Sequence, residues 1–96
     1  MNSDQKTNEF YERLKIELER SSNWPSVYLF KFIVPTAIEK VMQVENSFNN
    51  MGAVIKTTQS KTGKFTSISI DVMMQTANQV INKYKEVATI EGIISL

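Results

Sequence analysis

The sequence predicts an α+β sandwich: a four-stranded antiparallel sheet with two helices on one face, preceded by a further helix at the N-terminus. Three observations predict it. Residues 27–34, VYLFKFIV, are rich in β-branched and aromatic residues and, Lys31 apart, apolar on both alternating sets, which suits a strand in the interior of a sheet. Two Thr-x-x-Glu/Gln spacings, Thr36 with Glu39 and Thr76 with Gln79, each open a stretch of helical periodicity. Between them, residues 53–74 alternate apolar and polar about the turn Lys61-Thr62-Gly63-Lys64, as a hairpin with one buried face does. A chain of 96 residues has room for one such core and not for two.

Taken in order, Asn8 to Ser21 reads as an amphipathic helix. Phe10, Leu14 and Leu18 recur every four residues, and Tyr11 widens the stripe. Asn8 is placed to cap this helix, and Asn23-Trp24-Pro25 to end it, because a residue before proline is held out of the helical region. In the strand at 27–34, Tyr28, Phe30, Phe32 and Val34 point to one side and Val27, Leu29, Lys31 and Ile33 to the other. Lys31 marks the second side as reachable by water.

The helix opened by Thr36 and Glu39 carries the stripe Ala37, Val41, Val44 and Phe48, widened by Ile38. Asn49-Asn50-Met51-Gly52 closes it, with Gly52 free to turn left-handed. In the hairpin, pairing Ser60 with Phe65 sets Thr57 opposite Ile68, Ile55 opposite Ile70 and Ala53 opposite Val72, all on one face. Val54, Lys56, Thr58, Ser67, Ser69 and Asp71 take the other face, and a slip of one residue would oppose apolar and polar throughout. Ala77, Val80, Ile81, Tyr84 and Val87 form the last helical stripe, and residues 90–96 read as a loop into a short strand.

The order β-α-β-β-α-β makes residues 24–96 a ferredoxin-like sandwich, with residues 1–23 an N-terminal helix and linker. Right-handed crossovers place both helices on one face. The strand order fourth-first-third-second puts 27–34 in the interior, with Phe30 and Phe32 beneath the helices. The opposite face is left with Leu29, Lys31, Ile33, Val54, Lys56, Ser67, Ser69 and Asp71. Such a face is too polar for a core and too apolar to stand bare, so the N-terminal helix, another subunit or a ligand is expected to cover part of it.

The chemistry is bounded by what is missing. There is no cysteine and no histidine, which removes disulfides, thiolate nucleophiles, Cys- and His-ligated metals and histidine-based triads. No catalytic residue, metal ligand or cofactor is expected: Asp71 has no acidic neighbour in sequence, and the helix glutamates read as surface charge. Metal carriers of this fold need a paired-cysteine loop, and its acylphosphatase-like enzymes need an arginine after the first strand. Here the two arginines, Arg13 and Arg20, belong to the N-terminal helix. Ser60-Lys61-Thr62-Gly63-Lys64 lacks the phosphate-loop spacing and leads into a strand.

RNA-binding members stack bases on rings of the first and third strands. In this register Phe30 and Phe32 serve the core, and the third strand offers Phe65 at its end and then Ser67 and Ser69. With 11 Lys+Arg against 10 Asp+Glu the net charge is +1, so a nucleic-acid partner is not expected. No apolar run reaches the roughly 20 residues of a membrane span. MNSDQKTNEF is polar and acidic rather than signal-like, and a cytoplasmic protein is expected.

Pro25 before the first strand, Lys31 within it, Ser60, Gly63, Phe65, Ser67-Ile68-Ser69-Ile70 and Tyr84 together resemble the YbeD-like small bacterial proteins of unknown function. The resemblance covers about residues 24–96 and is most specific in the hairpin. It implies an ACT-like ferredoxin fold, a cytoplasmic protein without established catalysis, and a regulatory role by analogy with ACT domains. Amino-acid-binding ACT domains often carry a glycine after the first strand; here that loop is Val34-Pro35-Thr36.

The function expected from the residues is a non-enzymatic regulatory or protein-interaction module that associates through its sheet, by face or by edge. Leu29, Lys31, Ile33, Lys56, Ser67 and Ser69 are the candidate contact residues, and a second copy or another protein is the candidate partner. The alternative is a sensor of a small anionic metabolite, with Lys31, Lys56, Ser67 and Ser69 as donors. RNA binding ranks below both.

Overall fold

Alternation along the most apolar segment of the chain sets the layers. The computed structural model describes residues 2–96, with side chains from Gln5 onward, so Met1 of the N-terminal segment lies outside it. The elements are α1 (Asn2–Ser21), β1 (Ser26–Pro35), α2 (Ile38–Ser47), β2 (Val54–Gln59), β3 (Phe65–Met74), α3 (Ala77–Val87) and β4 (Ile94–Ser95). The strands pair antiparallel in the order β2-β3-β1-β4, the ferredoxin-like arrangement expected.

On the helix side of β1, Phe30, Phe32 and Val34 are fully buried, while Val27, Leu29 and Lys31 on the other side are exposed. The Phe30 ring meets Phe48 of the α2 C-cap at 5.0 Å and Tyr84 of α3 at 5.1 Å between centroids. Each such ring contributes roughly 1.5–3 kcal/mol by burial. Ile68, Ile70, Val72 and Met74 of β3 complete the floor, and Val44, Val80, Ile81 and Val87 the roof. Lys83 ties the two helices together: its ammonium donates to the Ser47 carbonyl at the end of α2, pairs with Glu86 at 3.2 Å and lies over the Phe48 ring.

The hairpin register agrees with the expected one. Ile55 pairs with Ile70 and Thr57 with Ile68, and the Ser60 N–H donates to the Phe65 carbonyl at 2.8 Å. Gly63 closes the turn at φ +75. Thr57, expected on the buried face, is exposed all the same, because β2 is an edge strand.

Several local expectations need correction. Helix α1 begins at Asn2, so Asn8 is interior and caps nothing; the polar run ahead of it continues the helix, which apolar periodicity does not reveal. The docked stripe of α1 is Tyr11, Leu14 and Leu18, at helical spacings of three and four, whereas Phe10 is 58% exposed and rests edge-on against Tyr11. Thr36 does not cap α2. Its N–H continues the sheet by donating to the Lys64 carbonyl at 2.9 Å, and its hydroxyl meets that of Thr66 at 2.9 Å. The cap position passes to Ala37, which has no side-chain acceptor to offer.

With the helix starting there, Ile38 turns outward and is 77% exposed instead of widening the stripe. At α3 the cap is real but half reciprocal. The Gln79 N–H donates to the Thr76 hydroxyl at 3.0 Å, while the Gln79 side chain accepts from the Gln75 N–H rather than from Thr76.

Candidate functional site

The open face of the sheet is where the candidate residues converge, and cross-strand pairing places each of them. In β1 and β3, Leu29 faces Asp71, Lys31 faces Ser69 and Ile33 faces Ser67. In β3 and β2, Asp71 faces Val54, Ser69 faces Lys56 and Ser67 faces Thr58. Three adjacent rows therefore cross the sheet: Val54–Asp71–Leu29, Lys56–Ser69–Lys31 and Thr58–Ser67–Ile33, the last continued by Ile94 of β4. All six residues expected at the contact surface lie in these rows.

Direct neighbours in a row sit about 5 Å apart, and the rows about 7 Å apart along the strands. The middle row thus holds two ammonium groups on either side of a serine hydroxyl. Asp71 is diagonal to both lysines, and among the described residues the one ion pair is Lys83–Glu86, on the helical layer. The face is also more apolar than the sequence suggested. Val27 and Met73 extend it at one end and Phe65 at the other, each about half exposed, and Ile94 joins it from β4. Ile94 gives no signal in sequence because a two-residue strand has no alternation to read.

Helix α1 does not cover this face. It packs beside α3, with Leu18 in the core, and the Trp24 indole N–H anchors the following linker by donating to the Leu18 carbonyl at 3.2 Å. Lys85 of α3 lies over the Tyr11 ring at 5.4 Å. Between α1 and the sandwich remains a cavity of about 230 Å³, lined by Phe10, Tyr11, Leu14, Tyr28, Tyr84 and the C-terminal Ser95–Leu96. The Tyr28 and Tyr84 hydroxyls meet at 2.9 Å. Burial first, and then the hydrogen bond to Tyr28, push the Tyr84 phenol well above its ordinary value. Periodicity places both tyrosines toward the helices but carries no signal for their contact, which joins residues 56 apart in the chain.

A family model described as a protein of unknown function, DUF493, matches residues 19–96. The chain belongs to the DUF493 family. The resemblance to the YbeD-like small proteins of unknown function agrees with this. Neither the curated proteins nor the solved structures gave a match. The DUF493 span takes in the last turn of α1 and the whole sandwich, so the open face lies entirely within it. The cavity instead straddles its boundary, because Phe10, Tyr11 and Leu14 precede residue 19. Among the described residues no helix is long and apolar enough to cross a membrane, and no three His, Cys, Asp or Glu side chains cluster as a metal site would require.

Proposed function

We propose that this DUF493 protein is a non-enzymatic regulatory or protein-interaction module of the cytoplasm, and that the open face of its sheet is the contact surface. The observation that carries the reading is the apolar set Leu29, Ile33, Val54 and Ile94 on the side of the sheet that faces away from both crossover helices and from α1. Apolar side chains on either side of the Lys56–Ser69–Lys31 row give the face the mixed composition of a binding surface rather than of an idle one. A face contact is favoured over an edge contact. The edge strands β2 and β4 have six and two residues, and β2 carries Lys56, so neither edge offers a long template for a further strand. Phe30 and Phe32 are committed to the core, which leaves RNA without stacking platforms on the first strand. The lack of histidine and cysteine supports a role without catalysis.

The test is a photo-crosslinking residue placed at Ile33, and separately at the exposed Glu17 of α1, in the source cell. Adducts with a discrete polypeptide from Ile33 alone are expected, and they should vanish on Leu29→Glu. Adducts from the α1 position alone, or from neither, refute the reading.

The Lys56–Ser69–Lys31 row favours a second reading, a small anionic metabolite held across the strands. A ligand at 100 times its Kd adds about 2.7 kcal/mol of stability. Thermal-shift screening of anionic compounds against wild type and Lys31→Ala would then show a shift that the variant loses, and no shift across the set rejects it.

A further inference from the structure

We infer that the open face pairs with the same face of a second copy about a two-fold axis running across the strands, with Asp71 of each protomer set between the partner's Lys31 and the partner's Lys56. The inference rests on, and deepens, the reading of that face as a contact surface.

Symmetry and charge favour this pairing. Closed homodimers are predominantly two-fold, so the patch must be complementary to itself. Face-to-face sheets pack about 10 Å apart with strand directions within about 30° of each other. Charge separates two placements of the axis most sharply. An axis along the strands and centred on β3 lays Asp71 over its own copy and Lys31 over the partner's Lys56, like charge on like.

An axis across the strands, midway between the two rows, keeps each strand over its counterpart but exchanges the rows. Val54–Asp71–Leu29 of one copy then faces the Lys56–Ser69–Lys31 row of the other. Asp71 stands over the partner's Ser69 hydroxyl with an ammonium on each side, and the symmetry makes the same contact a second time. Both rows lie next to the axis, where the angle between the sheets displaces them least.

Asp71, Lys31 and Lys56 are exposed, and among the described residues no ion pair engages these groups. The apolar residues are served by the same placement, since Val27 comes over the partner's Ile33 and Leu29 over the methylene stem of the partner's Lys31. At about 3.3 Å per residue and 4.8 Å between strands, β1, β3 and the Val54–Lys56 part of β2, which this placement lays over their counterparts, present roughly 350 Å² of flat face per copy. Two copies together give about 700 Å² before side-chain relief, the size of a weak, concentration-dependent contact.

The experiment uses charge exchange. Wild type, Asp71→Lys and the double variant Lys31→Asp/Lys56→Asp are compared by sedimentation velocity across a concentration series in low-salt buffer, with thermal unfolding confirming that each is folded. Wild type is expected to dimerise reversibly. Each variant alone brings like charges together at both contacts and should self-associate at least about tenfold more weakly. Mixed in equal amounts the two variants present opposite charges at both contacts, so the mixture should recover the dimer.

A wild type that stays monomeric throughout, variants that associate as wild type does, or a mixture that recovers nothing each overturns the inference. Leu29→Glu separates this from the broader reading. If it abolishes dimerisation while the charge-exchanged mixture stays monomeric, the face is an interface and this pairing is wrong. A monomeric wild type whose Ile33 position still crosslinks to another polypeptide likewise keeps the face as an interface and excludes the pairing.

Discussion

The two faces of β1 are made from one strand and serve opposite ends. Phe30 and Phe32 are sealed under α2 and α3, whereas Leu29, one residue away, stays 45% exposed beside Lys31 on a side no helix reaches. The lesson is that hydrophobicity alone does not assign a residue to the core. The composition of its row does: Phe30 pairs with Ile70, while Leu29 pairs with Asp71, which pairs in turn with Val54. Mutations that respect or violate this division should separate into two classes, one read in stability and one in association.

The sharpest contrast is Phe30→Ala against Leu29→Ala. The first opens a cavity among Phe48, Tyr84 and Phe32 and is expected to cost about 3–5 kcal/mol, a large part of the ~5–15 kcal/mol that holds a domain together. The second should stay within about 0.5 kcal/mol. Denaturant titration measures both, and comparable losses would erase the distinction between the faces.

Next in size is Gly92→Ala. Gly92 has φ +82, and an added Cβ would meet the Pro35 ring at 2.9 Å, so the loop that delivers β4 to β1 must shift. A loss of about 1–2 kcal/mol is expected from the left-handed backbone alone, seen as a lowered Tm.

Tyr84→Phe is smaller near neutral pH, about 1 kcal/mol for the hydrogen bond with Tyr28. Its signature is in pH. Burial and then the Tyr28 contact raise the folded-state pKa of Tyr84, while in the unfolded chain the phenol ionises near pH 10. The folded state therefore holds its proton longer. The stability it confers is complete below about pH 10 and is lost as pH rises above that. The alkaline decline should be shallower in Tyr84→Phe, and identical slopes for both proteins would contradict the buried-phenol account.

The smallest effect on stability belongs to Lys31→Ala, within about 0.5 kcal/mol. The same change should weaken self-association and flatten its salt dependence, which sedimentation at two ionic strengths reports.

Much of this division is legible in the sequence. Period-two alternation in Val27–Val34 and the four-residue turn about Gly63 determine faces and register without help from the rest of the chain. The composition of the open face follows, since it is the complement of the buried one. What stays hidden depends on competition or distance. Thr36 has the sequence of a helix cap, but the sheet claims it through Lys64 and Thr66 before the helix begins. Phe10 and Tyr11 lie on overlapping stripes of α1, and only docking against α3 chooses Tyr11. The charge pattern that the proposed pairing uses needs β1–β3 and β2–β3 registers together, because no single hairpin brings Lys31 into the row of Lys56.

The most direct measurement of the central claim is a methyl NMR dilution series on the wild-type protein. Concentration-dependent shifts should be confined to the apolar methyls of the open face, Val27, Leu29, Ile33, Val54, Met73 and Ile94, with the buried Val44, Val80 and Ile81 unmoved. Shifts that map to the outer surface of α1 or α2, or spectra that do not change over the whole series, would contradict it.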